Sequence, residues 1–394
     1  MTITSPSIVS WITCGLLTRN PPSLIQVPPT TVANRSTRTL ARFWHVLLKD
    51  VADSTPLWRA VGALIDGASI DGVLAHKLGP LAAGRRRSAE EPVPDAFAAE
   101  ERAASFAALS ATALLQRIRE LGDGPIVLLK GPEVAALYPP NGRRFGDIDV
   151  LTPDAVGLHR SLREHGFGEV ETPFDHREHH HLAPLRWPVI PLHVEVHSSP
   201  NWPQGIAAPP VAEILEAAVP SVVEIEGVSA PRRLHHALLL AAHSWAHEPL
   251  EALRDLIDVA VLSAEEDASD LQRVADSWGL GRVWGTTRRA IDALFYDGGS
   301  SGALRIWARH LAAVRERTVF ETHLQAALHP FWERPAAPAA AESLAAIKAD
   351  LAPAPGETWG KKLGRIPRAI REAHLPHSAR PEPDREQPAS SQRH

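Results

Sequence analysis

Between Pro125 and Val196 the apolar residues stop recurring every three to four positions and alternate, or cluster in short runs parted by Pro and Gly. Only a strand sends successive side chains to opposite faces, so this stretch has to be sheet-rich. On either side, from about Leu40 to Glu120 and from Pro231 to about Trp332, Ala and Leu return at helical spacing, as in Phe106, Leu109, Leu114, Leu115 and Ile118. The order is helical, then α/β, then helical. An α+β fold follows: a small mixed sheet flanked by N-terminal and C-terminal helical regions, with disordered termini.

Within the central stretch the spacing predicts strands at 125–130, 147–151, 167–172, 182–187 and 191–197, and helices at 132–138 and 154–165. Thr152 is placed to cap the second helix, Pro153 suits its first position and Gly166 its end. A further strand is expected at 221–226. These elements divide the chain into a disordered segment 1–38, a helical region 39–120, an α/β module 121–205, a mainly helical domain 206–335, and a linker with disordered tail over 336–394. The Ala-Pro run near Pro335 to Ala341 reads as linker, and the stretch from Pro353 is rich in Pro, charge and Ser. The N-terminus has no basic start, and reads as neither a signal peptide nor a packed element. Because Met1 is the only methionine, it also fits a mis-called start.

Composition excludes whole classes. The 394 residues contain no apolar run near the roughly 20 needed to span a bilayer, which argues for no membrane partner. A formal charge of -5 gives no basic field, and disfavours a large nucleic acid. The single cysteine, Cys14, rules out internal disulfides and Cys-based zinc, and suits a reducing, cytoplasmic setting. Of the 41 basic residues only Lys49, Lys77, Lys130, Lys348, Lys361 and Lys362 are lysines, so Lys130 stands alone across the middle of the chain.

Lys130 closes the apolar run Ile126-Val127-Leu128-Leu129 and precedes Gly131-Pro132-Glu133, a strand passing into a helix start. A helix N-terminus with an adjacent ammonium can hold a phosphate, although a solvated strand-end lysine is the plainer reading of a lone Lys-Gly. Fifteen residues on, Gly146-Asp147-Ile148-Asp149-Val150-Leu151 sends both aspartates to one face and Ile148 and Val150 to the other. Two such carboxylates repel unless a cation lies between them, and hard ions such as Mg²⁺ or Mn²⁺ suit oxygen ligands. An exposed strand with two solvated aspartates is the bland alternative. Leu192-His193-Val194-Glu195-Val196-His197 alternates without a fault, so His193, Glu195 and His197 share a face. On a neighbouring strand, Glu195 would complete an acidic triad with Asp147 and Asp149, as two-metal phosphoryl chemistry requires.

The span from Leu128-Leu129-Lys130-Gly131 through Tyr138-Pro139 and Arg143 to Gly146-Asp147-Ile148-Asp149-Val150-Leu151 resembles the signature of the uncharacterised nucleotidyltransferases of the polymerase-β-like superfamily. His181-Leu182-Ala183-Pro184-Leu185 and Val194-Glu195-Val196-His197 resemble later segments of the same family, as do His76 to Ala82 and Arg254-Asp255-Leu256. The resemblance implies that Asp147 and Asp149 are catalytic metal ligands, that Glu195 is the third acid, and that 121–205 is the catalytic module. It also implies that Lys130, Gly131, Arg143 and Gly146 bind the nucleotide, Lys130 standing where most of the superfamily has Gly-Ser. Arg143 would pair with a phosphate or with Asp147.

His176, His179, His180 and His181 invite a zinc reading, but alternation lets only a subset converge. A solvated or substrate-facing cluster is the alternative, with His181, His193 and His197 as acid/base or substrate-contacting candidates. His243 and His247 lie one helical turn apart, fitting an interface with the catalytic module. Trp187 and Trp202 flank the third strand and can stack on a base, although core packing is the commoner fate.

The expected activity is Mg²⁺-dependent nucleotidyl transfer from an NTP, ATP among them, to an unidentified small molecule, peptide or protein, with release of pyrophosphate. A silent nucleotide-binding sensor of the same fold and a His-cluster metallohydrolase are the competing readings.

Overall fold

The computed structural model describes residues 55–171, 180–296, 298–353 and 357–376. Cys14, Met1, the 1–38 segment, His176, His179 and the residues after Pro376 therefore lie outside the described residues. Four helices lead: α1 Pro56–Asp66, α2 Ile70–Ala75, α3 Gly79–Ser88 and α4 Asp95–Leu121. The central module follows with β1 Ile126–Leu128, α5 Pro132–Ala135, β2 Asp147–Leu151, α6 Ala155–Glu164, β3 Gly168–Glu169, β4 Leu185–Arg186 and β5 His193–His197. After α7 Val211–Glu216 come β6 Val219–Pro220 and β7 Val228–Ala230, then α8 Arg233–His247, α9 Leu253–Ser263, α10 Ala268–Ser277 and α11 Gly281–Phe295. The chain closes with α12 Gly302–Ile306, α13 Arg309–Ala312, α14 Val319–Leu328, α15 Pro330–Glu333, α16 Ala336–Leu351 and α17 Trp359–Glu372.

The seven strands make one mixed sheet in the order β3-β4-β5-β2-β1-β7-β6. β2 runs parallel to β5 and antiparallel to β1, and β1 runs parallel to β7. Alternation assigns the two faces. Ile126, Leu128, Ile148, Val150, Val194 and Val196 pack under α4 and α6 against Leu114, Leu115, Ile118, Leu158 and Leu162. Val127, Leu129 and Leu151 point the other way, into a second core built from α1 to α3 and α8 to α11. Asp147 and Asp149 share that second face, so the carboxylates are held between sheet and helices.

The N-terminal and C-terminal helices are joined at several points. Gly72 of α2 lies so close to α13 that a Cβ there would stand 1.9 Å from the Val314 carbonyl oxygen. The His76 and His310 rings stack at 5.7 Å. His76 Nδ1 accepts from the Leu253 amide (3.4 Å), so its Nε2–H donates to the His310 carbonyl (3.2 Å).

Several sequence expectations need correction. The stretch 221–226 is a turn between β6 and β7, because Glu133 accepts from both the Ser221 hydroxyl and the Val222 amide and bends the chain there. The cap of α6 is Asp154, which accepts from the Gly157 amide at 2.8 Å, with Gly166 at φ 95 beyond the helix end. α5 is a single turn of 4 residues rather than a helix to 138. The Ala-Pro run is not a linker: Pro338 falls in the first turn of α16, where an amide has no intrahelical acceptor to lose, and alanines favour the rest. Nor is the region from Pro353 wholly unstructured, since Thr358 caps α17 by accepting from the Lys361 amide. No helix among the described residues is long and apolar enough to cross a membrane.

Candidate active site

The parallel register of β2 and β5 sets Asp147 beside His193, Asp149 beside Glu195 and Leu151 beside His197. Adjacent parallel strands send paired residues to the same face, so three acids and two histidines converge. Donor atoms of Asp149, Glu195 and His197 all lie within 4.8 Å of one another. The Asp147 carboxylate is not in this group; it lines the larger cleft beside it. The close cluster is thus Asp149, Glu195 and His197, where the sequence pointed to Asp147, Asp149 and Glu195.

Asp149 is 2% exposed. His197 Nε2–H donates to its Oδ1 at 3.0 Å, while Oδ2 is buried with no donor among the described residues. Burial alone would raise the Asp149 pKa, but the Lys130 ammonium and the His197 ring outweigh it and hold the carboxyl well below its usual range. Glu195 goes the other way: burial, then repulsion by Asp149 and Asp147, pushes it up to about 8. Only a proton on Glu195 or a cation between the two groups lets them sit this close. The donor set therefore fits a divalent cation, with Asp149 Oδ2 and Glu195 as its oxygens.

Around this pair lie more imidazoles. His181 Nδ1–H donates to the Leu182 carbonyl at 2.7 Å and turns Nε2 toward Glu195 at 3.9 Å. His197 Nε2 stands 3.7 Å from Glu195, and the His180, His181 and His197 rings lie 4.7–5.3 Å apart. His193, half-buried at the start of β5, donates its amide to the Gly146 carbonyl at 3.0 Å.

Lys130 follows β1, and its ammonium meets His243 Nε2 on α8. Burial, then the charge of Lys130, keeps His243 neutral well below its ordinary pKa. One turn away, the His247 ring packs on His243 at 4.5 Å. His236 donates from Nε2 to the Leu129 carbonyl at 2.6 Å, pinning α8 to the end of β1. Gly131 turns the chain at φ 66, beside the Asp147 carbonyl and Ile148. Gly146 has no atom within 4 Å of where a Cβ would stand.

Arg143 is not paired with Asp147. Its Nε and Nη2 donate to Asp258 Oδ1 and Oδ2 of α9 at 2.8 and 2.7 Å, and Tyr138 donates to the same Oδ1 at 2.5 Å. Burial raises the Asp258 carboxyl, and Arg143 more than reverses it. The sequence reading missed Asp258. A signal was present: a lone acid inside Leu256-Ile257-Asp258-Val259-Ala260 has to be paired.

Lys130, Arg143, Asp147, His243 and Asp258 border a cleft of about 600 Å³ between the sheet and α8 and α9, while Asp149 and His197 line a smaller pocket that shares Lys130 and His243 with it. One wall carries Lys130, Arg143, Gly146 and Asp147; the other carries His243, His247, Glu248, Arg254 and Asp255, with Lys77 also at the lining. Trp187 and Trp202 belong to packing: Trp187 stacks on Phe167 at 6.0 Å, and Trp202 meets Trp278 edge-on at 5.9 Å.

No curated protein matches the chain. Asp147, Asp149 and Glu195 sit on neighbouring parallel strands beside a cleft walled by helices, and a family model for uncharacterised nucleotidyltransferases matches residues 58–295: the chain belongs to that family.

Proposed function

We propose that the protein transfers a nucleoside monophosphate from an NTP to an acceptor nucleophile, with Mg²⁺ or Mn²⁺ at the β2–β5 carboxylates. The buried, unsatisfied Oδ2 of Asp149 beside Glu195 carries this reading. Asp149 and Glu195 would hold the ion, with Asp147 reaching it from the cleft side. When bound, such an ion neutralises phosphate charge and polarises the α-phosphorus.

The residues supply the rest. His197 fixes the orientation of Asp149 through the 3.0 Å hydrogen bond. Lys130, one of two lysines among the described residues lining the cleft, supplies a compact ammonium for the triphosphate. The single turn of α5 has too little dipole to do this alone. The acceptor oxygen attacks the α-phosphorus, the bond to the bridging oxygen breaks, and pyrophosphate leaves. The acceptor proton passes to His181, whose Nε2 lies 3.9 Å from Glu195. The remaining helical wall, with Glu248, Arg254 and Asp255, is left to contact the acceptor.

The test combines two readouts. Incubating the protein with each α-labelled NTP, Mg²⁺ or Mn²⁺ and a cell extract should label an acceptor, and Asp149→Asn should lower labelling at least about 100-fold, the scale of losing an electrostatic catalytic group. Mn²⁺ should also raise the melting temperature of wild type and not of Asp149→Asn. Labelling that survives Asp149→Asn and Asp147→Asn together would overturn the mechanism.

A further inference from the structure

Far along the chain from the cleft, α17 presents an apolar face that the described residues leave largely exposed. Trp359, Leu363, Ile366 and Ile370 recur at helical spacing and are 60%, 57%, 45% and 66% exposed. No residue of the helix is buried. The rest of the circumference carries Lys361, Lys362, Arg365, Arg368 and Arg371 against one acid within the helix, Glu372. Glu372 and the preceding Glu357 pair with Arg368 and Arg365, each at 2.6 Å. At 100° per residue the four apolar side chains fall in one narrow arc, with Lys362 at one edge and Arg371 at the other.

Among the described residues the backbone bonds between this helix and the body lie at its C-terminal end, where the Val319 and Phe320 amides donate to the Leu375 and Ala373 carbonyls at 3.1 and 2.9 Å. Its neighbour α16 does not cover it either, since Leu344 and Leu351 of that helix are themselves 67% and 63% exposed.

We propose that α17 docks in the plane of an anionic phospholipid surface. Charge complementarity selects this occupant. Five cations flanking an apolar stripe match a layer whose outer edge is negative and whose interior is hydrocarbon, and lysine and arginine stems can reach back to the headgroups while Trp, Leu and Ile enter. A polynucleotide would use the cations and leave the stripe in water. The absence of a spanning run, from which no membrane partner was expected, does not bear on a helix lying flat. The inference is independent of the nucleotidyl chemistry.

Co-sedimentation of the full chain with phosphatidylcholine vesicles, with and without phosphatidylglycerol, tests it. Wild type should bind the anionic vesicles at least about tenfold better than the neutral ones, and lose this preference at high salt. Leu363→Glu with Ile370→Glu should abolish binding, and Lys361→Glu with Arg371→Glu should remove the anionic preference. All four positions lie on a helix without buried residues, so melting temperatures should not move; if the glutamate pair disturbs folding, Leu363→Ser with Ile370→Ser replaces it. No binding by wild type, or equal binding by the stripe variants, overturns the proposal. A wild-type dimer that the stripe variants dissociate, with no vesicle binding, overturns it too and assigns the face to a second copy.

Discussion

At Asp258 one carboxylate accepts from Tyr138 and twice from Arg143, out of water, at the seam between β2's approach and α9. Removing either charge strands the other. Asp258→Ala should cost about 3–5 kcal/mol of stability, whereas Arg143→Met combined with Asp258→Leu should cost less than either single change, because no buried charge is left alone. Urea denaturation of the three variants decides it, and a single variant within about 1 kcal/mol of wild type would contradict the assignment. The same pair marks where local reading stops. Asp147, Asp149 and Glu195 declare themselves by alternation with core residues two positions away. Arg143 and Asp258 are 115 positions apart, and no neighbour of Arg143 announces which acid it will meet.

Elements were legible in proportion to how far local pattern governed them. β2 was found residue for residue, and β5 and α6 nearly so, because alternation or a capped amphipathic turn is complete within a few positions. The 221–226 segment failed because its Val and Ile pattern favours a strand while a contact with Glu133, remote in sequence, imposes a turn. α16 and α17 failed because both stretches were read by composition alone: Pro338 sits in a first turn, where it loses no intrahelical bond, and α17 forms although it buries no residue. Two glycines test element packing. Gly72→Ala would drive a methyl into the Val314 carbonyl and should destabilise by about 1–3 kcal/mol. Gly84→Ala in α3 meets nothing within 4 Å and should stabilise by about 0.5–1 kcal/mol. Thermal or urea unfolding of both compares them directly, and equal effects would refute the close approach of α2 to α13.

For the molecule as a whole, buried neutral histidines set the acid limit. Burial, the largest cause for each, lowers His76 and His236 to about 4 and His310 to about 3. In the unfolded chain these rings take up protons below about pH 6.5, and in the folded one only near pH 4 to 3, so protons favour unfolding across that window. The histidines' contribution should be lost as pH drops below 6.5, each costing about 1.4 kcal/mol per pH unit and the three together outweighing Glu195, whose raised pKa works the other way up to about pH 8. Glu321, held down to about 2 despite burial by its bond to Arg315, adds its own loss only below its unfolded value of 4.5. Urea midpoints at pH 6.5, 5.5 and 5 should decline in that order, and a flat profile would refute it.

The shared helical core also bears on how the chain is made. Leu57, Trp58, Val61 and Val73 find their partners on α8 to α11 and, at Gly72, on Val314. During synthesis those partners emerge roughly 200 residues later, about 10–40 s at ordinary elongation rates. Throughout that interval the nascent chain carries an amphipathic helical start with nothing to bury it against, and the sheet's carboxylate face is equally uncovered. The ribosome-bound intermediate, rather than the finished protein, is where this architecture is most exposed to chaperones and to aggregation.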